Sequence, residues 1–229
     1  MRFKDRADAG RRLAARLTAY TNRSDLIVLA LPRGGVPVAY EVARLLHVPL
    51  DVFLVRKLGL PGHPELAMGA IAEGGVEVLS EHLIRDAGVP ASLLRQVAVR
   101  EQLEMDRRDQ LYRGGRRLSP VRDQVVIVID DGLATGSTMQ AAVIALTRLA
   151  PSRIIVAVPV GARETCARLS SIADEVVCLE MPEPFNAVGL WYEAFDQTTD
   201  EEVRGLLAPA PAEESGRTLA SHGVRTHPT

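Results

Sequence analysis

Blocks of consecutive aliphatic residues alternate along this chain with segments whose apolar positions recur at helical spacing. Val125–Ile129 reads VVIVI, five β-branched residues in a row. Such a run fits a strand covered on both faces, as in the middle of a parallel sheet. Leu26–Leu31, Leu50–Val55, Arg153–Val160 and Glu175–Glu180 are the other predicted strands. Between them lie helical patterns at Asp5–Tyr20, Val36–Leu46, Met139–Leu149 and Ala162–Ser170, the third with Val143, Leu146 and Leu149 on its apolar face. A helical hairpin is predicted over Ser80–Tyr112. Strands alternating with helices predict an α/β fold, a mostly parallel central sheet flanked by helices. No internal repeat interrupts the order. After Ala208 the composition shifts to Pro, Ala, Glu, Ser and Gly, which predicts one domain over 1–208 and a disordered tail over 209–229.

The chemistry concentrates where Val125–Ile129 ends. Asp130 and Asp131 stand at the carboxyl end of that strand, where open α/β sheets bind ligands. Ala134, Thr135, Gly136, Ser137 and Thr138 follow and lead into a helix. Small side chains leave the backbone N–H groups reachable, and a helix N-terminus adds unsatisfied donors with a partial positive charge, so an anion of phosphate size suits the loop. Adjacent carboxylates would repel that anion unless sugar hydroxyls or Mg²⁺ intervened. The parts together describe a site for a ribose 5-phosphate, with carboxylates on the ribose hydroxyls and the cradle on the phosphate. A capped helix with no ligand is the plainer alternative, but a cap needs one Ser or Thr and no acid pair.

Other phosphate binders fit less well. The chain has no GxxxxGK[ST] and no GxGxxG opening a helix after a strand. A phospho-acceptor receiver would also pair acids near a strand end, yet it would not need the Thr-Gly-Ser-Thr run.

The nine residues Asp130–Thr138 resemble the phosphoribosyl-pyrophosphate (PRPP) loop of type I phosphoribosyltransferases: hydrophobic strand, two acids, two variable residues, then small-Thr-Gly-small-Thr. The resemblance implies that Gly132, Leu133, Ala134, Thr135, Gly136, Ser137 and Thr138 hold the 5′-phosphate, with Asp130 and Asp131 on the ribose and, directly or through water, on Mg²⁺. It implies that Pro32-Arg33-Gly34-Gly35, after the first strand, is a pyrophosphate loop, with a cis peptide at Pro32–Arg33 or Arg33–Gly34. Arg33, Gly34, Gly35, Arg56 and Lys57 would contact the pyrophosphate, with Lys57 counted beside Asp130 and Asp131 in the catalytic set. A mobile flap would follow Arg56-Lys57-Leu58-Gly59 in the stretch through His63 to Gly75, with His63, Glu65 and Glu73 as general-base candidates; a solvated basic pair on a plain hairpin is the plainer alternative.

A small hood covers the acceptor in such enzymes. Phe185, Trp191 and Tyr192, with Phe195, fall within Met181–Asp196, so this segment is expected either to stack on an acceptor base or to staple the C-terminal arm to the core. The implied reaction is transfer of 5-phosphoribosyl from PRPP to a nitrogenous base with release of pyrophosphate. Hypoxanthine-guanine enzymes carry an Asp where this chain has Ala134, which counts against a 6-oxopurine acceptor. Ala134 resembles the adenine enzymes, yet Gly132 is unusual in the loop, and the whole pattern looks most like a subgroup without an assigned acceptor. Two other readings remain: a PRPP-sensing regulator without turnover, and a ribose-phosphate-binding interaction protein that uses its long helix for assembly.

Composition sets outer limits. At 229 residues and 47% hydrophobic, the chain can build one substantial core. A net charge of −2 with interspersed signs gives no surface for a nucleic-acid backbone. No run of eighteen apolar residues predicts a membrane span, and the N-terminus MRFKDRADAGRR lacks a signal-peptide apolar region, so a cytoplasmic protein is expected. Cys166 and Cys178 lack metal spacing and read as reduced core residues. Arg107, Arg108, Arg113, Arg116 and Arg117 cluster on or after the long helix Ala91–Tyr112 and read as a solvated face, with a homo-oligomer contact as the alternative.

Overall fold

The computed structural model describes residues 2–60 and 62–208, and for 64–66 the backbone alone. Five strands, β1 (Leu26–Ala30), β2 (Leu50–Val52), β6 (Val125–Ile129), β7 (Arg153–Val160) and β8 (Glu175–Glu180), form one parallel sheet in the order β2-β1-β6-β7-β8. Their aliphatic runs serve two cores at once, because successive side chains on a strand face opposite ways. Leu26, Val28 and Ala30 of β1 and Val125, Ile127 and Ile129 of β6 pack into one core, with α1 (Arg6–Arg16) and α2 (Gly35–Leu46). Ile27 and Leu29, with Val126 and Val128, pack into the other, with α5 (Ser137–Arg148) and α6 (Arg163–Leu169). Neither face of β1 or β6 is left for water, so no polar alternation appears in their sequences.

The strand order places the site. The chain steps from β1 outward to β2, then returns to add β6 on the other side of β1. β1 and β6 run side by side, with Ala30 opposite Ile129, so the loops that leave their carboxyl ends diverge from neighbouring points. Ligands of doubly wound sheets bind in the crevice at such a reversal.

Several elements differ from expectation. The strand predicted over Leu50–Val55 stops at Val52, and Val55–Leu60 starts a separate strand, β3. With β4 (His63–Ala72) and β5 (Val76–Leu79) it makes an antiparallel sheet in the order β3-β4-β5. The stretch expected as a flap or a plain hairpin is in large part regular hairpin: hydrogen bonding between antiparallel strands satisfies a backbone that an irregular loop would leave to water. The first helix ends at Arg16, with a short 3-10 turn at Thr18–Tyr20. The helical hairpin is present as α3 (Glu81–Asp86) and α4 (Ala91–Arg113), and α7 (Asp200–Leu207) closes the described chain. The predicted tail, 209–229, lies outside the described residues. Among the described residues no helix is long and apolar enough to cross a membrane.

Arg113 corrects the reading of a solvated basic face. Its side chain is 1% exposed. Nε donates to Asp51 at 2.9 Å, Nη1 to Asp109 at 2.6 Å and to Glu73, and Nη2 to Glu73 at 2.9 Å and to the Val52 carbonyl. Ser119 donates to the other oxygen of Asp51 from its amide and its hydroxyl. One guanidinium thus joins β2, the β4–β5 connection and α4, and fixes the antiparallel sheet against the central one. Glu73 is consequently not the flap base considered above: it is buried, and Arg113 occupies both its oxygens.

Candidate active site

Two loops meet at the reversal between β1 and β6. Leu31 donates its amide to the Ile129 carbonyl at 2.8 Å, which continues the β1–β6 pairing one step beyond the strands. The Pro32–Arg33 peptide is cis, the first of the two expected places. Gly34 and Gly35 then press against the acid pair. A Cβ on Gly34 would lie 2.1 Å from Asp131 Oδ2, and one on Gly35 would lie 2.6 Å from the Ile129 carbonyl and 2.9 Å from Asp130 Cα. Only glycine permits that approach. Gly34→Ala is therefore expected to lower the unfolding free energy by about 1–3 kcal/mol, the usual cost of overpacking. Urea titration checks this, and an unchanged midpoint would show that loop and acid do not touch.

The second loop presents its amides by tying its carbonyls elsewhere. Thr165 Oγ1 donates to the Ala134 carbonyl at 2.8 Å, and Arg168 Nη2 to the Thr135 carbonyl at 2.8 Å, both from α6. Leu133 is anchored to β7, its amide to Val160 at 2.9 Å and its carbonyl accepting from Ala162 at 2.9 Å. Gly136, in the left-handed region at φ 69°, opens α5, and the hydroxyls of Thr135 and Ser137 lie 3.2 Å apart. With the carbonyls held on the α6 side, N–H groups, hydroxyls and the positive end of α5 are what the loop offers opposite, and an anion suits them.

The acids are held differently from one another. Asp130 Oδ1 accepts the Asp131 amide at 2.9 Å. Burial, and then the neighbouring Asp131, push the Asp130 carboxyl well above the usual carboxylate range. Asp131 is raised by burial too, with the Arg6 guanidinium opposing the shift. Arg6 donates to Asp131 Oδ2 from Nε at 2.9 Å and pairs with the same oxygen through Nη2 at 2.8 Å. Sequence reasoning missed Arg6. The available signal was a cation in the first turn of a helix, where the helix dipole disfavours positive charge.

The cations expected on pyrophosphate are only partly assembled here. Arg33 leaves the cis peptide with Nη1 3.7 Å from Asp200, which also accepts from Tyr112 at 2.6 Å. Arg56 and Lys57 lie on β3 rather than at the end of the central sheet. Arg56 is clamped by Glu101, from Nη2 at 2.6 Å and Nε at 2.9 Å, and shares a narrow crevice with Pro32, Arg108 and Thr138. His63 is exposed at the start of β4, and the side chain of Glu65 lies outside the described residues.

The expected aromatic hood is mainly a staple. Tyr192 is buried, its ring 5.5 Å from Phe3 and 4.9 Å from Phe195, and its hydroxyl donates to the Asp131 carbonyl at 2.6 Å. A buried ring with its hydroxyl engaged has no face for an acceptor base, which corrects the reading of Tyr192 as a stacking residue. Phe185 and Trp191 are half-buried against the same cluster, and the Trp191 carbonyl accepts the Phe3 amide at 2.8 Å. The arm also explains Gly132: a Cβ there would meet Val188 at 2.5 Å, so the glycine lets the arm lie on the acid loop.

Relatives of this chain are found both by sequence and by structure. A family model described as a phosphoribosyl transferase domain matches residues 2–194. A Mycobacterium tuberculosis protein named "Putative phosphoribosyl transferase Rv0571c" is 45% identical over 205 residues, 90% of this chain and 46% of that protein. The chain thus spans about half the length of the curated relatives it matches. The crystal structure of TT1426 from Thermus thermophilus is similar at TM-score 0.81 and 44% identity, over 90% of this chain and 98% of that one. A protein of Aquifex aeolicus, AQ2163, shares the fold at TM-score 0.50 and 12% identity, over 80% and 78% of the two chains.

Proposed function

Because the chain belongs to the phosphoribosyl transferase domain family, we propose that its site takes PRPP and transfers the 5-phosphoribosyl group to a nitrogenous-base acceptor. The observation that carries the reading is the contact of the two loops, Gly34 of the first against Asp131 of the second, at the reversal of strand order. One donor spanning them would place its 5′-phosphate on Ala134–Thr138 and its ribose hydroxyls on Asp130 and Asp131. Its diphosphate would lie along Arg33–Gly35, within reach of the β3 cations.

In the reaction a nucleophilic nitrogen of the acceptor forms a bond to the anomeric carbon while the bond from that carbon to pyrophosphate breaks, and pyrophosphate leaves with the electron pair. The acceptor nitrogen gives up its proton to a general base. Positive charge develops on the ribose ring, as in other glycosyl transfers. The carboxylates beside the ring, the amides on the phosphate and the cations on the leaving group would stabilise that charge separation, the more so the less they must reorganise as it develops.

Mg²⁺ fits the site only in company with the donor. Two carboxylates, with one oxygen taken by Arg6 and one by a backbone amide, are too few for a protein cage, and among the described residues no group of three or more His, Cys, Asp or Glu could hold a metal. A magnesium ion that keeps its waters and sits mostly on substrate phosphates needs no more than this. Asp130 and Asp131 would meet its hydration shell, and the ion would neutralise the departing pyrophosphate.

The test is pyrophosphate release on incubation with PRPP, Mg²⁺ and a panel of purine and pyrimidine bases. Release that depends on one acceptor supports the transferase. Donor binding without release from any base would instead favour a PRPP-responsive binding protein.

A further inference from the structure

Resting on that reading of the site, we infer that Arg6 is a positioning residue for Asp131, so that the N-terminal arm belongs to the donor site. Arg6 opens α1, and its guanidinium reaches a residue 125 positions away. Both side chains of the pair are shielded, 12% and 16% exposed.

The geometry does more than pair two charges. Nε and Nη2 both go to Oδ2, so Arg6 holds one oxygen of Asp131 and leaves Oδ1 to accept from a ribose hydroxyl. Gly34 closes on Oδ2 from the pyrophosphate loop. The carboxylate is thus fixed by both loops' neighbours before a ligand arrives. Arg6 is itself locked: Nη1 donates to the Asp196 carbonyl at 2.7 Å, and the guanidinium lies 4.0 Å over the Phe195 ring. Both nitrogens meet a single oxygen, so what Asp131 receives is one local positive charge, which a lysine ammonium over the same ring can also supply.

Charge gives the arrangement its purpose. Two adjacent carboxylates beside a phosphate cradle would repel a donor that carries several negative charges. A built-in cation on Asp131 offsets one of them without blocking the hydroxyl-accepting oxygen. The C-terminal arm contributes by fixing Arg6 rather than by offering a ring to the acceptor.

The test is isothermal titration of PRPP with Mg²⁺ into the wild type, Arg6→Lys and Arg6→Gln, each with its melting midpoint recorded. Arg6→Gln is expected to weaken PRPP binding about 10- to 100-fold, the scale of one charge-assisted contact. Arg6→Lys should recover most of that loss, which a purely structural role for the side chain would not produce. If Arg6→Gln does not fold, Arg6→Lys decides: binding within about fivefold of wild type supports the inference, and a loss of about 100-fold or more at an unchanged midpoint overturns it. Wild-type affinity in a folded Arg6→Gln, or a folded Arg6→Gln equal to Arg6→Lys, also overturns it and leaves the proposed function intact. A wild type that binds no PRPP removes the proposed function, and this inference falls with it.

Discussion

Arg113→Met should lower the unfolding free energy by about 3–5 kcal/mol at neutral pH, the cost of breaking a buried ion network by removing one partner. Methionine fills much of the space but leaves Asp51 and Glu73 buried without their cation. In a chain of this size that loss corresponds to roughly 2–4 °C in melting midpoint per kcal/mol. Burial already pushes Glu73 upward, with Arg113 opposing it, and removing the arginine lets it rise further. A carboxyl whose folded pKa lies above its unfolded value favours the native state at low pH and loses that advantage as pH rises through the folded value. The deficit of Arg113→Met should therefore be largest at pH 7.5 and shrink toward pH 4. Asp109→Asn should cost less than about 1 kcal/mol, because Asp109 is 42% exposed and its pair with Arg113 is the solvated edge of the network. Urea unfolding at two pH values measures all three, and a deficit under about 1 kcal/mol for Arg113→Met at pH 7.5 would mean that water reaches the cluster.

That network shows where reading the sequence runs out. Val125–Ile129 followed by Asp130 and Asp131 is legible because its signals are local: a run of β-branched residues needs two buried faces, and small residues after it need an open backbone. The order of strands and helices follows from the same local periodicities. Arg113 carries no such signal. It sits in a sequence neighbourhood with Arg107, Arg108, Arg116 and Arg117, and what buries it is Asp51 and Glu73, 62 and 40 residues earlier. Charge counting along one helix cannot separate a solvated arginine from one enclosed by other elements. Arg6 and Asp131 are hidden in the same way, since the contact exists only after the N-terminal helix packs against α2 and β7. Tyr192 was legible as important but not as to how: an aromatic after the last strand can stack on a ligand or pack an arm, and only the contacts with Phe3, Phe195 and the Asp131 carbonyl decide.

The second large effect should separate binding from stability. Asp130→Asn combined with Asp131→Asn is expected to weaken PRPP binding by about 100-fold or more, because each hydrogen bond from a ribose hydroxyl to a carboxylate is worth about 1.5–3 kcal/mol. Asp130→Asn alone should do the reverse to the fold. Its carboxyl is pushed above the ordinary range first by burial and then by Asp131, so ionising it in place opposes folding as pH rises above the unfolded carboxyl's value near 4. Asparagine keeps an oxygen for the Asp131 amide and carries no charge to bury. Stability at pH 7.5 should rise by about 0.5–2 kcal/mol, the gain commonly found when a functional site gives up a strained group, and the gain should vanish near pH 4, where the native side chain is neutral as well. Asp131→Asn should not share that gain, since it leaves the shielded Arg6 guanidinium without its counter-ion. Calorimetric titration of the double variant with PRPP and Mg²⁺ tests the ribose assignment, and unchanged affinity would end it. Melting of Asp130→Asn against wild type across pH 4–8 tests the electrostatics separately, and a variant less stable than wild type at pH 7.5 would show that Asp130 is held by partners rather than tolerated for the ligand it serves.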